Sequence, residues 1–410
     1  MKKLFIGVVI TATQLFATNG SSLIGMGPKS CGMGGVGIGM SHGAESSLIN
    51  PALISSVEGS EISFAGTIFI PDVEYQGSPV NSGYAKSDSA FSLIPKVAFV
   101  HNLDNQFYTG IGMWGTAGMG VKYNENSSQY GTMQMGTNMQ IVQFGVPLAY
   151  KSNNFTFGVA AIVQYGSLDI DYQIPIYNST ETQHVGGIMS QDVNFGYTIG
   201  VSYQINNLTL GGVYKSSIDM IYDGVMTTAV KPFESAGVTG ITDHLETPAE
   251  YGVGVAYTLF DNHTLAFDYK TIRWEEAKGY KDFNWKNQSV YAIGYEYKIG
   301  QWSFRGGYNH SDQPIDSQMI SINGGAALNQ FNLLGAPAIV ENHYSIGTTY
   351  EYSNSFAIDT SVGHSPEATQ TFQTAHVNPE TNELYAYNVS AKHTQYCVTL
   401  GINYKFSSIN

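Results

Sequence analysis

Alternation of side-chain character with a period of two is the feature that most constrains this chain. Between residues 393 and 406, apolar and aromatic residues fall on one face of an extended chain, and small or polar residues fall on the other. The first set is Tyr396, Val398, Leu400, Ile402, Tyr404 and Phe406. Segments 193–205 and 249–259 repeat the pattern. Because successive side chains of a strand point to opposite faces, each segment predicts a strand with one apolar face.

Composition indicates what covers the apolar faces. Charged residues make up 12% of the chain, about half of the roughly 25% that is usual in soluble domains. After the N-terminus, no apolar run approaches the ~20 residues of a membrane helix, so a closed barrel is the remaining way to span a bilayer. The 28 tyrosines and 20 phenylalanines suit interfacial aromatic girdles. A soluble β-sandwich is the alternative, although it would need a second sheet to cover the apolar set.

The connections support the barrel. We predict fourteen strands, near 61–70, 90–101, 107–114, 138–150, 153–166, 193–205, 207–216, 249–259, 262–271, 288–298, 300–309, 342–352, 354–364 and 393–406. Short turns alternate with long connections at 71–89, 115–137, 167–192, 217–248, 272–287, 310–341 and 365–392. Periplasmic turns and extracellular loops alternate in this way in bacterial outer-membrane barrels. The sequence therefore predicts an all-β, transmembrane antiparallel β-barrel of about 14 strands, with both termini in the periplasm.

The N-terminus divides into two parts ahead of the barrel at 59–410. Residues 1–17 contain Lys2 and Lys3, then an apolar stretch, and end at Ala17, as in a secretory signal peptide. A membrane anchor is the alternative, but the apolar run is short. Residues 18–58 are rich in glycine and lack alternation. Irregular backbone at membrane depth is tolerated when it is buried in protein, so we predict that this segment is a plug, or hatch, inside the barrel lumen.

Several motifs in order resemble the FadL family of outer-membrane transporters. They are the hatch motif (Gly32, Gly34, Gly35, Gly37, Asn50, Pro51 and Ala52), residues 247–254, residues 302–308 and the closing residues 404–406. The resemblance implies passive uptake of hydrophobic small molecules, long-chain fatty acids first, with capture by extracellular loops, an apolar lumenal site and lateral release gated by the hatch. Two alternatives stay open, which are uptake of aromatic hydrocarbons and a structural or adhesive role at the surface.

Five residues are predicted ligand contacts. The family's N-terminal segment contributes to the ligand pocket, so the resemblance implies contacts from Leu23 and Ile24; a disordered tail is the alternative. Ile174 and Ile221 supply apolar contacts in the long loops. Arg305 falls on the inward face of its strand, where a guanidinium could hold a carboxylate headgroup through paired hydrogen bonds. Its alternative role is a structural pair with an inward carboxylate; the candidates are Asp268, Glu296, Glu351 and Asp359.

The third predicted strand has unusual composition. It contains Gly110, Gly112 and Gly115, and its two neighbours contain Pro95 and Pro147. Proline removes a donor from the ladder, and glycine in a strand marks a bulge or a bend. In the FadL family a kink in the third strand opens a lateral gap, so the resemblance implies that the wall is interrupted here. Ordinary barrel curvature is the alternative.

The remaining motifs indicate no other chemistry. Gly32, Gly34 and Gly37 fit G-x-G-x-x-G, but no strand precedes them, as a dinucleotide site requires. Cys31 and Cys397 could pair in an oxidising compartment, although two free thiols are the favoured reading. We expect no enzyme activity, metal or cofactor, no nucleic-acid partner given a net charge of −14, and a monomer whose partners are a hydrophobic ligand and outer-membrane lipid.

Overall fold

The computed structural model describes residues 19–77, 83–89, 91–104, 106–124, 134–175, 181–320, 324–377 and 383–406. The predicted signal peptide at 1–17 lies outside these ranges and stays a prediction. Within them, strands that are adjacent in sequence pair with one another in a single antiparallel sheet.

Fourteen long strands form a closed barrel, which confirms the predicted fold class. They are β1 (Ser60–Gln76), β2 (Ser92–Asn102), β3 (Phe107–Lys122), β4 (Met135–Ser152), β5 (Phe155–Pro175), β6 (Ser190–Ile205), β7 (Leu208–Lys215), β8 (Glu250–Leu259), β9 (His263–Ile272), β10 (Gln288–Ile299), β11 (Trp302–Ser311), β12 (Asn342–Glu351), β13 (Phe356–Val377) and β14 (Leu384–Phe406). The barrel closes where β1 pairs with β14, from Ser60 opposite Phe406 to Gln76 opposite Ser390. Two short strands, Ala85–Lys86 and Thr182–Gly186, extend the sheet beside β1 and β5.

Short turns lie at one end of the barrel and long connections at the other. The long connections carry the helices α2 (Val225–Val230) and α3 (Gly325–Gly335) and the 3-10 helices Lys231–Ala236 and Tyr280–Phe283. The N-terminal residues contain α1 (Pro28–Cys31) and the 3-10 helices Gly43–Leu48 and Pro51–Ser56. Among the described residues, no helix is long and apolar enough to cross a membrane.

The strand faces follow the predicted alternation. In β14, Tyr396, Leu400 and Ile402 are exposed, whereas Gln395, Thr399 and Asn403 are buried. The same contrast appears in β8, where Tyr251 and Val253 are exposed and their neighbours Gly252 and Gly254 are buried. The wall therefore presents apolar and aromatic side chains outward and small or polar ones inward.

Several strands extend further than predicted at the long-connection end. The segments 71–89, 115–137, 167–192 and 365–392 were expected to be connections, but β1 runs to Gln76, β3 to Lys122, β5 to Pro175 and β13 to Val377. The extra pairs include polar residues, for example Thr371 opposite Ser390. Beyond the apolar band the outer face no longer has to be apolar, so the alternation that marks a strand disappears while its backbone pairing continues.

The N-terminal segment, residues 19–58, packs against the inward faces of the strands. The contacting wall positions are mostly glycines, because a Cβ there would collide with the segment. They are Gly112, Gly158, Gly200, Gly211, Gly252, Gly254, Gly294, Gly307, Gly347 and Gly401. At Gly158, for instance, a Cβ would lie 2.5 Å from the backbone nitrogen of Ala52. Small residues on nine strands thus leave the volume that the N-terminal segment occupies.

Candidate functional site

One carboxylate of the wall holds the glycine-rich turn of the N-terminal segment. Asp268 of β9 is 4% exposed. Its carboxylate accepts backbone hydrogen bonds from Gly37 at 2.7 Å, Ile38 at 2.8 Å and Gly39 at 3.3 Å. Amides bonded to a charged acceptor form stronger hydrogen bonds than neutral pairs do. Asp268 therefore fixes this turn against one side of the barrel.

The residues of the predicted hatch motif lie where the N-terminal segment approaches its neighbours closely. Asn50 caps the helix Pro51–Ser56 by accepting from the Ala52 amide at 3.1 Å. Its side-chain nitrogen donates to the Ile38 carbonyl at 2.9 Å and to the Val201 carbonyl at 3.3 Å. Gly34 and Gly35 have positive φ angles of 69° and 89°, a conformation that favours glycine. A Cβ at Gly32 would lie 2.9 Å from the Gly347 Cα, and one at Gly37 would lie 2.6 Å from the Ile49 side chain.

Leu23 and Ile24, both predicted ligand contacts, separate two small cavities inside the barrel. The first, which we call the Lys96 cavity, has a volume of about 60 Å³ and is also lined by Phe69, Lys96 and Cys397. The second, the Ile38 cavity, has a volume of about 40 Å³. Its other lining residues include Met26, Ile38, Ile49, Glu250 and Lys270. Both cavities have mainly apolar walls, as small-molecule pockets usually do.

The wall between β2 and β3 is incomplete. The ladder between them runs only from Lys96–Trp114 to Asn102–Tyr108. Beyond it, β3 shifts register against β4 between Gly115 and Ala117. The predicted wall residues Gly110 and Gly112 lie within this short ladder, opposite Val100 and Ala98. Pro95 comes just past its end, and Pro147 accepts a hydrogen bond from Thr109 through its carbonyl at 3.0 Å.

Residues 21–23 of the N-terminal segment pair with β3 beyond the end of that ladder. Ala117 pairs with Ile141 of β4 and also forms an antiparallel bridge with Ser22. The Leu23 amide donates to the Thr116 carbonyl at 3.0 Å, and the Gly118 amide donates to the Ser21 carbonyl at 3.3 Å. Since a strand has two edges, Ser22 takes the pairing position that β2 leaves vacant.

A third apolar cavity lies at the long-connection end, and we call it the loop cavity. Its volume is about 80 Å³. Its walls are methionine, aliphatic and aromatic side chains, among them Met135, Met139, Leu168, Ile170, Met226, Tyr280, Phe283, Trp285 and Phe331. The predicted contacts Ile174 and Ile221 are not among its lining residues. Ile174 packs on the edge of the core, and Ile221 is 40% exposed.

A cluster of three rings connects the loop cavity to the N-terminal segment. The ring centroids of Trp274, Tyr280 and Trp285 lie 4.6 to 5.0 Å apart. The Tyr280 hydroxyl is 3.1 Å from the Ser21 hydroxyl, and a Cβ at Gly20 would lie 2.6 Å from the Trp274 ring. Burial raises the pKa of Tyr280 to about 12, so its phenol is neutral. The start of the N-terminal segment therefore touches the floor of the loop cavity.

Arg305 adopts the structural alternative rather than the headgroup role. It is 8% exposed, and its Nε and Nη2 atoms lie 2.7 and 2.6 Å from Glu296 Oε2. Nη1 donates to Thr349 at 2.7 Å. Arg305 lines a polar cavity of about 400 Å³ at the short-turn end, remote from the apolar cavities. Because the guanidinium already binds a carboxylate, we assign it to the wall and not to a ligand.

Cys31 and Cys397 are both free and half-buried. Both line the Lys96 cavity without forming a disulfide, in agreement with the favoured prediction of two free thiols.

The comparisons place the chain in a known family. Residues 10–406 match the family model described as "Outer membrane protein transport protein (OMPP1/FadL/TodX)". The chain belongs to this family. A long-chain fatty acid transport protein of Escherichia coli O6:H1 is 22% identical over 377 residues, which are 78% of this chain and 83% of that protein. A 47 kDa outer membrane protein of Pasteurella multocida is 21% identical, over 83% of this chain and 86% of its own length.

Solved structures share the fold. A Pseudomonas aeruginosa FadL homologue superposes with a TM-score of 0.72 at 15% identity, covering 95% of this chain and all of that one. The toluene transporter TodX of P. putida has a TM-score of 0.69 at 16% identity, covering 93% of this chain and 99% of that one. The FadL resemblance inferred from the motifs is therefore confirmed, and the family is one of outer-membrane proteins that transport hydrophobic compounds.

Lys96, the backbone partners of Asp268 and the loop cavity were not predicted. Lys96 and Asp268 both fall on inward positions of their strands; that signal identified Asp268 as an inward carboxylate but was not applied to Lys96. The lining of the loop cavity comes from β4, β5 and several connections, and no local pattern brings these together.

Proposed function

We propose that this protein carries long-chain fatty acids across the outer membrane by passive diffusion. The observation that carries the proposal is the pairing of residues 21–23 with β3, beside an apolar cavity and beyond the end of the β2–β3 ladder. A short segment in the place of a wall strand can leave without breaking the rest of the barrel.

The route begins at the long-connection end, which we place outside the cell, with both termini in the periplasm and the barrel acting as a monomer. A ligand enters the loop cavity, whose walls are apolar and aromatic. Beneath it lie residues 20 and 21 and then the cavities on either side of Leu23 and Ile24. In this proposal residues 18–58 are the plug, or hatch, and the apolar ligand takes the place of their N-terminal residues.

Release is lateral in this proposal. When residues 21–23 leave the edge of β3, the wall opens between 92–95 and 115–118, near Gly115. A ligand drives this change only if it binds the open arrangement more tightly than the closed one. An acyl chain that fills the space of Leu23 and Ile24 meets that condition, because it competes directly with the closed position of the segment.

Uptake of aromatic hydrocarbons is the second candidate. The rings of Tyr280, Phe283 and Trp285 border the loop cavity, and aromatic rings stack favourably with flat ligands. The structural relative TodX is a toluene transporter, but its 16% identity supports the fold alone.

A reversible cross-link tests the gate. In a background in which Cys31 and Cys397 are serine, Ser22→Cys and Ala117→Cys place two thiols on paired residues, at a Cα separation of about 4.5–5.5 Å that a disulfide can bridge. We expect oxidised cells to lose uptake of a radiolabelled long-chain fatty acid and a reductant to restore it. Equal uptake in both states would refute the gate.

Competition then sharpens the substrate class. Purified protein is titrated with the radiolabelled fatty acid in the presence of toluene. Saturable binding without competition supports fatty-acid transport, whereas full competition supports the aromatic candidate. If neither ligand binds saturably, the transport proposal fails and a surface role becomes the better explanation.

A further inference from the structure

Lys96 is a buried cation with an incomplete set of partners. Its side chain is 3% exposed and lies on the inward face of β2, where the ladder to β3 ends. Its Nζ is 3.1 Å from the Gly25 carbonyl and 3.1 Å from Thr67 Oγ1. The remaining neighbour is Cys31 Sγ at 3.9 Å. An ammonium group has three N–H donors, so one of them faces only a weak sulfur acceptor.

No carboxylate among the described residues lies within ion-pair distance of the Lys96 Nζ; the ion pairs of other lysines are with Asp72, Asp219, Glu250, Glu296 and Glu367. A buried charge is costly unless an opposite charge or several hydrogen bonds compensate it. The buried Glu45 interacts with Lys96 only from beyond ion-pair distance. No negative charge therefore touches the ammonium within the described ranges, and an anionic group of a ligand would supply one.

The surroundings of Lys96 suit an amphiphile. Leu23, Ile24 and Phe69 give the cavity apolar walls. The polar part of the cavity is lined by the buried His343 ring and by buried Gln395, whose Oε1 has no hydrogen-bond partner within the described part of the chain. An ionised head would accept from the Lys96 ammonium while its chain lies along the apolar wall, whereas a neutral hydrocarbon would leave that donor unsatisfied. Gln395 Oε1 is itself an acceptor, so neither ligand supplies it with a hydrogen bond.

We propose that Lys96 binds the anionic head of the transported ligand and so selects a carboxylate-bearing chain over neutral hydrophobic molecules. The inference rests on the proposed function, since it assumes that the interior binds hydrophobic small molecules. It adds the residue that determines specificity. It also places the ligand head beside Lys96, the last residue of β2 that pairs with β3, next to the interrupted wall.

The basic residues of the Ile38 cavity are weaker candidates. Lys215 and Lys270 share Glu250, at 3.5 and 3.6 Å. A ligand head there would have to compete with an acid that is already in place. Lys96 has no such competitor among the described residues, so the Lys96 cavity is the better site for an anion.

The test compares a long-chain fatty acid with the primary alcohol of the same chain length, both radiolabelled, at a pH well above the carboxyl pKa. Binding is measured to the purified full chain in detergent. Hydrogen bonds between charged groups are worth roughly tenfold or more in affinity, so the native protein should bind the acid at least about tenfold more tightly than the alcohol. Lys96→Met should bring the two affinities together by weakening the acid alone.

Lys96→Arg is the control, because it keeps the charge and should keep the preference for the acid. Heat-modifiable mobility on a gel checks that each barrel is folded.

The possible failures are separable. A preference that survives in Lys96→Met, or one that Lys270→Met abolishes instead, overturns the role of Lys96. Equal affinity of the native protein for acid and alcohol overturns it without any variant and leaves the transport proposal standing. Absence of saturable binding of acid, alcohol and toluene overturns the transport proposal itself.

Discussion

Two sides of the barrel hold the N-terminal segment in different ways. On the anchored side, β8 to β12, the ladders run without register shifts and buried side chains bind the segment. Besides Asp268, Asn309 donates to the Gly34 carbonyl at 3.0 Å and Ser345 accepts from the Gly34 amide at 3.0 Å. On the patched side, β2 to β4, the ladder is short, β3 is bulged and the contacts at 21–23 are between backbones.

The difference separates two tasks. Charge-assisted hydrogen bonds to buried side chains are strong, so the anchored side keeps the segment in register with the wall. The two backbone hydrogen bonds at the edge of β3 are individually worth about 0.5–1.5 kcal/mol, which a ligand can replace. In the proposed function, the segment opens at one side while it stays attached at the other. Substitutions on the two sides should have different effects, and a substitution in the loops, outside both sides, should have the smallest effect.

The largest effect is expected on the anchored side, at the buried pair of Arg305 and Glu296. Arg305→Leu leaves buried Glu296 with only the exposed Lys298, 3.3 Å away, as an ion-pair partner, and breaking a buried pair costs about 3–5 kcal/mol. We expect the free energy of unfolding in detergent, followed by tryptophan fluorescence, to fall by that amount, while fatty-acid affinity of the folded protein is unchanged. The double variant with Glu296→Leu should recover most of the stability, because no buried charge is left. Loss of affinity without loss of stability would restore the headgroup role.

The second prediction concerns the anchor itself. Asp268→Asn removes the charge that three backbone amides share and should cost about 1–3 kcal/mol. It should also loosen the segment and raise the leakage of a small sugar through the barrel in liposome swelling. Asp261→Asn, in a short turn between β8 and β9, is the matched control with the same chemical change. If both variants leak like the native protein, the segment is not held by Asp268.

The third prediction addresses the patched side. A Cβ at Gly115 would lie 2.7 Å from the Ile94 side chain, so Gly115→Val should fill the proposed gap and slow fatty-acid uptake by about tenfold, equivalent to about 1.4 kcal/mol. Gly306→Val is the control, because no atom lies within 4 Å of a Cβ at that position. Uptake at the native rate in Gly115→Val would show that ligands leave by another way.

The smallest effect is expected in the loops, where neither side is touched. Asp219 accepts from His244 at 2.9 Å and from Lys278 at 2.6 Å. Burial opposes ionisation, but the hydrogen bonds from Lys278 and His244 hold the pKa of Asp219 below its usual range. A lowered pKa gives stability that is present above the unfolded value of about 3.9 and is lost as the pH falls through the folded value.

The native protein should therefore exceed Asp219→Asn in thermal stability at neutral pH, by at most about 1 kcal/mol after solvent screening. The difference should shrink below about pH 4, as a series of melting curves would reveal. A difference that grows as the pH falls would contradict the assignment.

The barrel could be predicted because lipid imposes a rule on every strand. An outer face must be apolar and an inner face need not be, so alternation identified all fourteen strands. Beyond the apolar band this constraint no longer applies. For that reason the parts of β1, β3, β5 and β13 at the long-connection end were not predicted as strands. The pairing of Arg305 with Glu296 was among the alternatives considered, and the register places the two residues directly opposite.

Other features depend on contacts that no local pattern encodes. Asp268 was considered as a partner for Arg305, but it binds the backbone of residues 37–39 instead. Backbone amides carry no sequence signal, so this choice could not be predicted. Ile174 and Ile221 were predicted to contact ligand because they are apolar residues of the long loops. Which apolar residues face a cavity depends on how α2, α3 and their neighbours fold.

The seam between β1 and β14 has a consequence for biogenesis. It consists of seventeen residue pairs, and the N-terminal segment, covalently continuous with β1, already contacts wall glycines on nine strands. Once β1 and β14 had paired, the segment could reach these wall glycines only by threading in through an open end of the barrel. We therefore expect the segment to be in position before β14 pairs with β1, so that the growing sheet closes around its own N-terminal residues.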